Sequence, residues 1–319
     1  MDVEDLSKLK QHEKLWFEDG NIVLATDVHL YSVHRGVLAL NSTVFKDMLE
    51  LPNIGTTSNS AAGGTAIGDS WEGKPLVRMV GDSDEDVYHL LKALYDIKFY
   101  SAYQPTSLPI ILSLLRMSTK YNYSDIRNTL ARHIERAYPS DLESMESRCF
   151  EDLYEGYDNV IYDFEFQLLF AALQCNLKTI LPTLYFECAT SRLAIILRVA
   201  EEHYLEKQQI DLLLCGHERM IEYAHEYGIK QFVPQQSCAF MPCSRSRGQL
   251  LANYVKFSSL PIQHLLQKDE AVGDEELRKS ICKSCSKVIS ENLEAFRLEI
   301  WNSIPGLFGL GTWEDAKRD

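Results

Sequence analysis

A chain of 319 residues, 45% of them hydrophobic, is long enough for two domains or for one domain with a large extension, and apolar enough to bury a sizeable core. Its 46 acidic against 32 basic residues leave a net charge of -14, spread along the chain rather than gathered in a tail. Such a surface repels a phosphate backbone on average, which argues against a nucleic-acid partner.

The opening MDVEDLSKLK is acidic and lacks an apolar core, so it does not read as a signal peptide. Residues 1–13 are expected to be an N-terminal tail, with at most one helical turn through Leu6 and Leu9. Asn21 to Thr26 (NIVLAT) is short and rich in branched apolar residues, and Asp19-Gly20 and Asp27 bound it, which predicts a strand. His29 to Val33 follows so closely that the two runs should pair as an antiparallel hairpin. From His34 the period becomes helical. Asn41-Ser42 interrupts, and Val44, Phe45, Met48 and Leu49 are expected to share one helix face.

Residues 53–74 are rich in Gly, Ser, Thr and Ala, and read as a mobile insert with too few apolar side chains to offset the entropy of ordering it. Two near-motifs lie there. Gly63 to Gly68 has the outer glycines of a phosphate loop, but Asp69 stands where Lys is required. Ser70 lacks the second glycine of a nucleophile elbow. Pro75 opens a third strand, Leu76 to Val80. Ser83 and Asp86 then have the spacing of a capping box, ahead of a stripe formed by Val87, Leu90, Leu91, Leu94 and Tyr95. Ile110 to Met117 predicts a buried helix, and Ile126, Leu130 and Ile134 the inner face of another. After Pro139 the pattern is almost wholly helical, with helices expected over 164–175, 178–188, 191–204, 208–227, 248–257 and 275–301. The apolar runs at 108–115 and 193–199 are too short to span a bilayer. An intracellular protein of the cytoplasm or nucleus follows, with no membrane partner, and its eight cysteines are expected to be thiols or metal ligands rather than disulfides.

The run Tyr31-x-Val33-His34-Arg35-x-Val37-Leu38-Ala39-x-Asn41-Ser42-x-x-Phe45-x-x-Met48-Leu49 resembles the opening of a BTB/POZ domain, especially the large fungal set. Glu72-Gly73-Lys74-Pro75-Leu76-Val77-Arg78-Met79 and Leu90-Leu91-Lys92-Ala93-Leu94-Tyr95-Asp96 continue the resemblance in the same order. It covers residues 14–137 and implies an α+β fold, a three-stranded sheet with a helix cluster. Residues 138–319 are similar to the helical extension of fungal relatives, as is the ending Ile304-Pro305-Gly306-Leu307-Phe308-Gly309-Leu310-Gly311-x-Trp313. In many animal relatives a charged pocket binds partners. The resemblance assigns its basic member to Arg35, while Asn21 stands where those proteins have Asp. Met48-Leu49-Glu50 has the letters of a cullin-contact element, but lies earlier than that element does.

Cysteine pairs are the most chemical feature. A structural zinc site needs four thiolate or imidazole ligands, commonly as two close pairs. Cys282-x2-Cys285, near the start of the last long helix, has a usual spacing. Cys238-x4-Cys243 is looser, with Pro234 ahead of it and Pro242 within it. One structural zinc on Cys238, Cys243, Cys282 and Cys285 is therefore weighed against Cys282 and Cys285 as two small buried residues on a helix face that pack as hydrophobes. The resembled fungal proteins carry cysteine pairs at similar places. Cys215-x-His217 is a second pair, for which an apolar helix face already accounts for Cys215. His34 reads as a satisfied core histidine. No catalytic constellation emerges from the Ser, His and Asp residues.

These readings lead to a non-enzymatic protein-interaction scaffold or adaptor whose partners are proteins, among them a second copy of the chain as a homodimer. Two alternatives stand beside it: a substrate adaptor that binds a cullin-type ubiquitin ligase, and a zinc-stabilised transcription regulator.

Overall fold

The expected hairpin forms, and the first part of the molecule is built on it. The computed structural model describes residues 6, 8–50, 70–156, 163–202, 205–232, 238, 241–256 and 279–318. Contacts divide the chain into two units, Met1–His133 with Glu151–Gly156, and Ile134–Phe150 with Tyr157–Asp319. The division differs from a boundary at 137/138 because the chain returns to the first unit after residue 150. There Thr106 donates its N–H to the Leu153 carbonyl at 3.2 Å and accepts from the Glu155 N–H at 3.3 Å. His133 adds a hydrogen bond to the same Leu153 carbonyl at 2.9 Å. The helices after residue 157 form one unit rather than two.

In the first unit, β1 (Lys10–Trp16), β2 (Ile22–Ala25), β3 (His29–Val33), β4 (Ser70–Trp71) and β5 (Lys74–Arg78) make a sheet of order β1-β3-β2-β5-β4. The hairpin pairs Ile22 with Val33 and Leu24 with Tyr31, and β5 runs parallel to β2 with Val23 opposite Leu76. All four β2 residues are buried because both faces of the strand are covered. Ile22 and Leu24 join Tyr31, Val33, Phe45, Leu90 and Leu91 on the helix side, while Val23 and Ala25 join Leu30 and Leu76 on the other. Each fully buried Ile, Leu or Val contributes roughly 1.5–3 kcal/mol, so a one-residue slip of β3, which would swap Tyr31 and Val33 with Ser32, is strongly disfavoured.

Two of the five strands are not among the three expected. β1 takes in residues 10–13, assigned above to a tail. Its side chains are mostly exposed, and what holds it is backbone pairing to β3, which leaves little trace in hydrophobic pattern. β4 pairs Ser70 with Pro75 and Trp71 with Lys74, so the end of the 53–74 stretch is a short hairpin. Residues 51–69, including the Gly63 to Gly68 near-motif, lie outside the described residues.

Helices α1 (Arg35–Leu40), α2 (Thr43–Glu50), α3 (Asp84–Tyr95), α4 (Leu108–Lys120) and α5 (Ser124–Ala137) follow the expected order. Phe45 and Leu49 of α2 are buried, but Val44 is 39% exposed and does not share their face. At α3, Ser83 Oγ accepts from the Asp86 N–H at 3.1 Å. The reciprocal half of a capping box is missing, because Arg116 takes the Asp86 carboxylate, with Nη2 to Oδ1 at 2.6 Å.

The second unit comprises α6 (Leu142–Ser147), α7 (Phe164–Gln174), a 3-10 turn at Lys178–Ile180, α8 (Leu181–Ala189), α9 (Leu193–Glu202), α10 (Lys207–Phe232), α11 (Met241–Lys256), α12 (Lys283–Leu307) and α13 (Trp313–Ala316). Every residue of α8 is buried. Arg148 and Glu187 form an ion pair whose side chains are 3% and 6% exposed, and fully buried Arg297 pairs with Glu146 and Glu294. No helix among the described residues is long and apolar enough to cross a membrane.

Candidate metal centre

Four thiols converge in the second unit. The sulfurs of Cys238, Cys243, Cys282 and Cys285 all lie within 4.8 Å of one another, a set that could hold a metal ion. Cys238 Sγ and Cys282 Sγ are 3.9 Å apart. A tetrahedral Zn–S₄ group with bonds of about 2.3 Å has sulfur–sulfur edges of about 3.8 Å, so the spacing fits that ion.

Local structure explains how each sulfur arrives. Cys282 is the N-cap of α12, with extended backbone at φ -65°, ψ 152°, and its sulfur accepts from the Cys285 N–H at 3.5 Å. The C-x2-C spacing thus delivers one sulfur from the cap and one from the first helical turn. The second pair repeats the device more loosely. Cys243 sits in the first turn of α11 and is fully buried, while half-buried Cys238 lies outside any helix. Pro242, which restricts helix on its N-terminal side, occupies the first turn, where its missing N–H costs nothing. The two helix starts are joined by a hydrogen bond between Ser280 Oγ and Ser246 Oγ at 2.5 Å.

In the metal-free cluster the thiols share protons, and only Cys282 is shifted toward the thiolate. Hydrogen bonds from the Cys285 backbone N–H and thiol bring the Cys282 thiol down to about 7. Cys285, which donates to that thiolate, is pushed up to about 12, and burial raises Cys243. A metal has to displace the protons that remain, so its affinity should rise with pH. Arg247 Nη1 approaches Cys285 Sγ at 4.0 Å. The sequence carries a matching signal that spacing alone does not reveal. No Asp or Glu occurs between Glu226 and Asp269 or between Glu276 and Glu291, in a chain that has 46 of them. All four cysteines fall in those two acid-free stretches, where no carboxylate is near in sequence to repel a thiolate–metal group of net negative charge.

The other candidates do not assemble a site. His217 Nδ1 is 2.8 Å from the Ala189 carbonyl, and Cys215 is exposed rather than packed on the apolar face that was expected to account for it. Asn21 and Arg35 are brought together, but through the backbone: Asn21 Oδ1 accepts from the Arg35 N–H at 2.8 Å and so caps α1 from outside the helix. The Arg35 guanidinium donates to the Leu49 carbonyl at the end of α2, at 2.6 Å. This geometry uses both residues in holding helices. His34 is half-buried and partnered, with Nδ1 3.1 Å from Tyr95 Oη and Nε2 3.3 Å from Asp19 Oδ1. Leu49 of the Met48-Leu49-Glu50 run is in the core.

Asp84 is a polar hub that sequence reading passed over. Its carboxylate accepts from Thr26 Oγ1 at 2.5 Å, His29 Nδ1 at 2.8 Å and Tyr31 Oη at 2.9 Å. Burial would push Asp84 up, but these hydrogen bonds outweigh it and hold the carboxyl below its ordinary range. The hub ties the hairpin to the start of α3.

Comparison with known proteins yields no match to a family model, to a curated protein or to a solved structure.

Proposed function

We propose that the chain is a non-enzymatic protein-interaction scaffold of the BTB/POZ type whose helical unit is tied by one structural zinc ion. The observation that carries the zinc assignment is the convergence of Cys238, Cys243, Cys282 and Cys285 at thiolate–zinc spacing. Four protein ligands leave no open position on a tetrahedral ion, so the metal's part is structural and not catalytic. It joins the starts of α11 and α12, closing the chain between Cys243 and Cys282, which removes conformations from the unfolded state.

The interaction reading rests on the residues that resemble the BTB/POZ opening and on where they stand. A hairpin, two helices, a strand beside the hairpin and two further helices follow one another in the first unit, and a third, α5, begins there. Leu40 and Val44, at the junction of α1 and α2, are 77% and 39% exposed. Large apolar side chains so placed suit association, in which a few buried anchors supply most of the binding energy. The cullin-adaptor version draws nothing from Met48-Leu49-Glu50, whose leucine is buried.

The test is elemental analysis and light scattering on the full chain, purified under reducing, chelator-free conditions. About one zinc per chain is expected, with loss in Cys282→Ser/Cys285→Ser. Self-association that Leu40→Asp weakens at unchanged zinc content is expected in the same samples. Absence of metal would remove the zinc assignment, and association indifferent to Leu40 would remove that surface.

A further inference from the structure

We infer that this centre is also a peroxide-responsive switch, in which Cys238 and Cys282 are the pair that oxidises and their disulfide displaces the metal. The inference rests on the zinc reading above.

The four sulfurs are not equivalent. Cys243 is fully buried within the first turn of α11, and Cys285 lies within the first turn of α12 with its sulfur facing Arg247. Helical backbone restricts the χ1 rotamers open to either sulfur. Cys238 lies outside any helix and Cys282 is a cap with extended backbone, so neither has helical dihedrals to give up. Both are half-buried, which lets a small oxidant approach. Their sulfurs stand 3.9 Å apart. Closing to the disulfide length of about 2.05 Å asks each to move by about 1 Å, a displacement that side-chain rotation can supply.

The chemistry balances with hydrogen peroxide as the oxidant. One thiolate sulfur attacks a peroxide oxygen, so that an S–O bond forms, the O–O bond breaks and hydroxide leaves to become water on protonation. The second thiolate then attacks the sulfenic sulfur. An S–S bond forms, the S–O bond breaks and a second hydroxide leaves. Each sulfur has lost one electron, and the pair has reduced the peroxide to two waters with two protons from solvent. The metal has then lost two of four ligands, and the remaining Cys243 and Cys285 cannot complete a tetrahedron. A dithiol reverses the exchange.

The experiment uses the zinc-loaded full chain in a Cys149→Ser/Cys215→Ser background, which removes the two exposed thiols outside the centre. Metal content is measured first. Hydrogen peroxide is then titrated with a colorimetric zinc chelator present, and the product is mapped by mass spectrometry after alkylation. The expected result is release of the zinc with about one peroxide per metal, a Cys238–Cys282 disulfide, and rebinding after dithiothreitol and zinc. Zinc that stays bound under excess peroxide, or leaves with a Cys282–Cys285 disulfide, overturns the switch while the zinc reading stands. A chain that holds no zinc at the outset overturns both.

Discussion

Phe308 lies so close to Gly216 that a Cβ on residue 216 would come within 2.3 Å of the ring. Phe308 is itself buried and stacked on Tyr185 at 5.1 Å between centroids, so the ring has no free space to retreat into. Glycine is therefore demanded in the middle of α10, where it costs about 1 kcal/mol of helix preference. Gly216→Ala regains that preference but overpacks the contact, at about 1–3 kcal/mol. A lower thermal midpoint is expected. Adding Phe308→Leu should recover part of the loss, and a double-mutant cycle that is purely additive would show the two residues to be independent.

Acid should weaken the first unit, and the sign follows from its histidines. Burial lowers His89, and burial together with nearby His29 lowers His12, both from an ordinary value of 6.5. In the window below that value the unfolded chain binds protons that the folded chain refuses, so stability is full above it and falls as pH drops. The carboxyls of Asp84 and Asp86, held low by their hydrogen bonds, continue the same trend at more acidic pH. Hydrogen exchange of β1 and α3 should quicken between about pH 7.5 and about pH 5.5, after correction for intrinsic rates. His89→Gln should flatten the dependence. Glu85, Asp86 and Arg116 also act on His89, so an unchanged slope in that variant would place the effect on His12.

The hairpin was legible because NIVLAT carries its own strand signal, and the helix stripe at Val87, Leu90 and Leu91 because burial keeps a period of 3.6. β1 was not, since an edge strand with charged side chains satisfies its backbone without apolar pattern. For the metal centre, C-x2-C spacing pointed to Cys282 and Cys285. The acid-free stretches around all four cysteines were equally visible, but gain meaning only once the thiols are seen to meet. The roles of Asn21 and Arg35 were illegible for another reason. Their partners are a backbone N–H and the Leu49 carbonyl, groups that every residue possesses and no pattern marks.

Asn21 should behave as a helix cap. Removal of its side-chain oxygen in Asn21→Ala leaves the Arg35 N–H without its acceptor and is expected to cost about 1 kcal/mol. Asn21→Asp keeps the acceptor and adds a negative charge at a helix start, which should stabilise by a few tenths of a kcal/mol. Urea titrations of the two variants therefore ought to fall on opposite sides of the parent. If both fall on the same side, capping is not what Asn21 contributes.

Arg148 and Glu187 give the sharpest contrast with surface pairs. The chain carries exposed ion pairs such as Arg219 with Glu222, which contribute little because water screens them. Arg148 and Glu187 are almost wholly buried. Arg148 also donates to the Ala137 carbonyl at 3.1 Å and lies over the Phe150 ring at 4.5 Å. Glu187→Ala strands a guanidinium in a site built for a pair, at about 3–5 kcal/mol, whereas replacing both partners with apolar residues of similar size can cost far less. The single variant should unfold at much lower urea than the double variant Arg148→Met/Glu187→Leu. Equal losses would mean that the pair's burial, rather than its charge balance, is what the helical unit depends on.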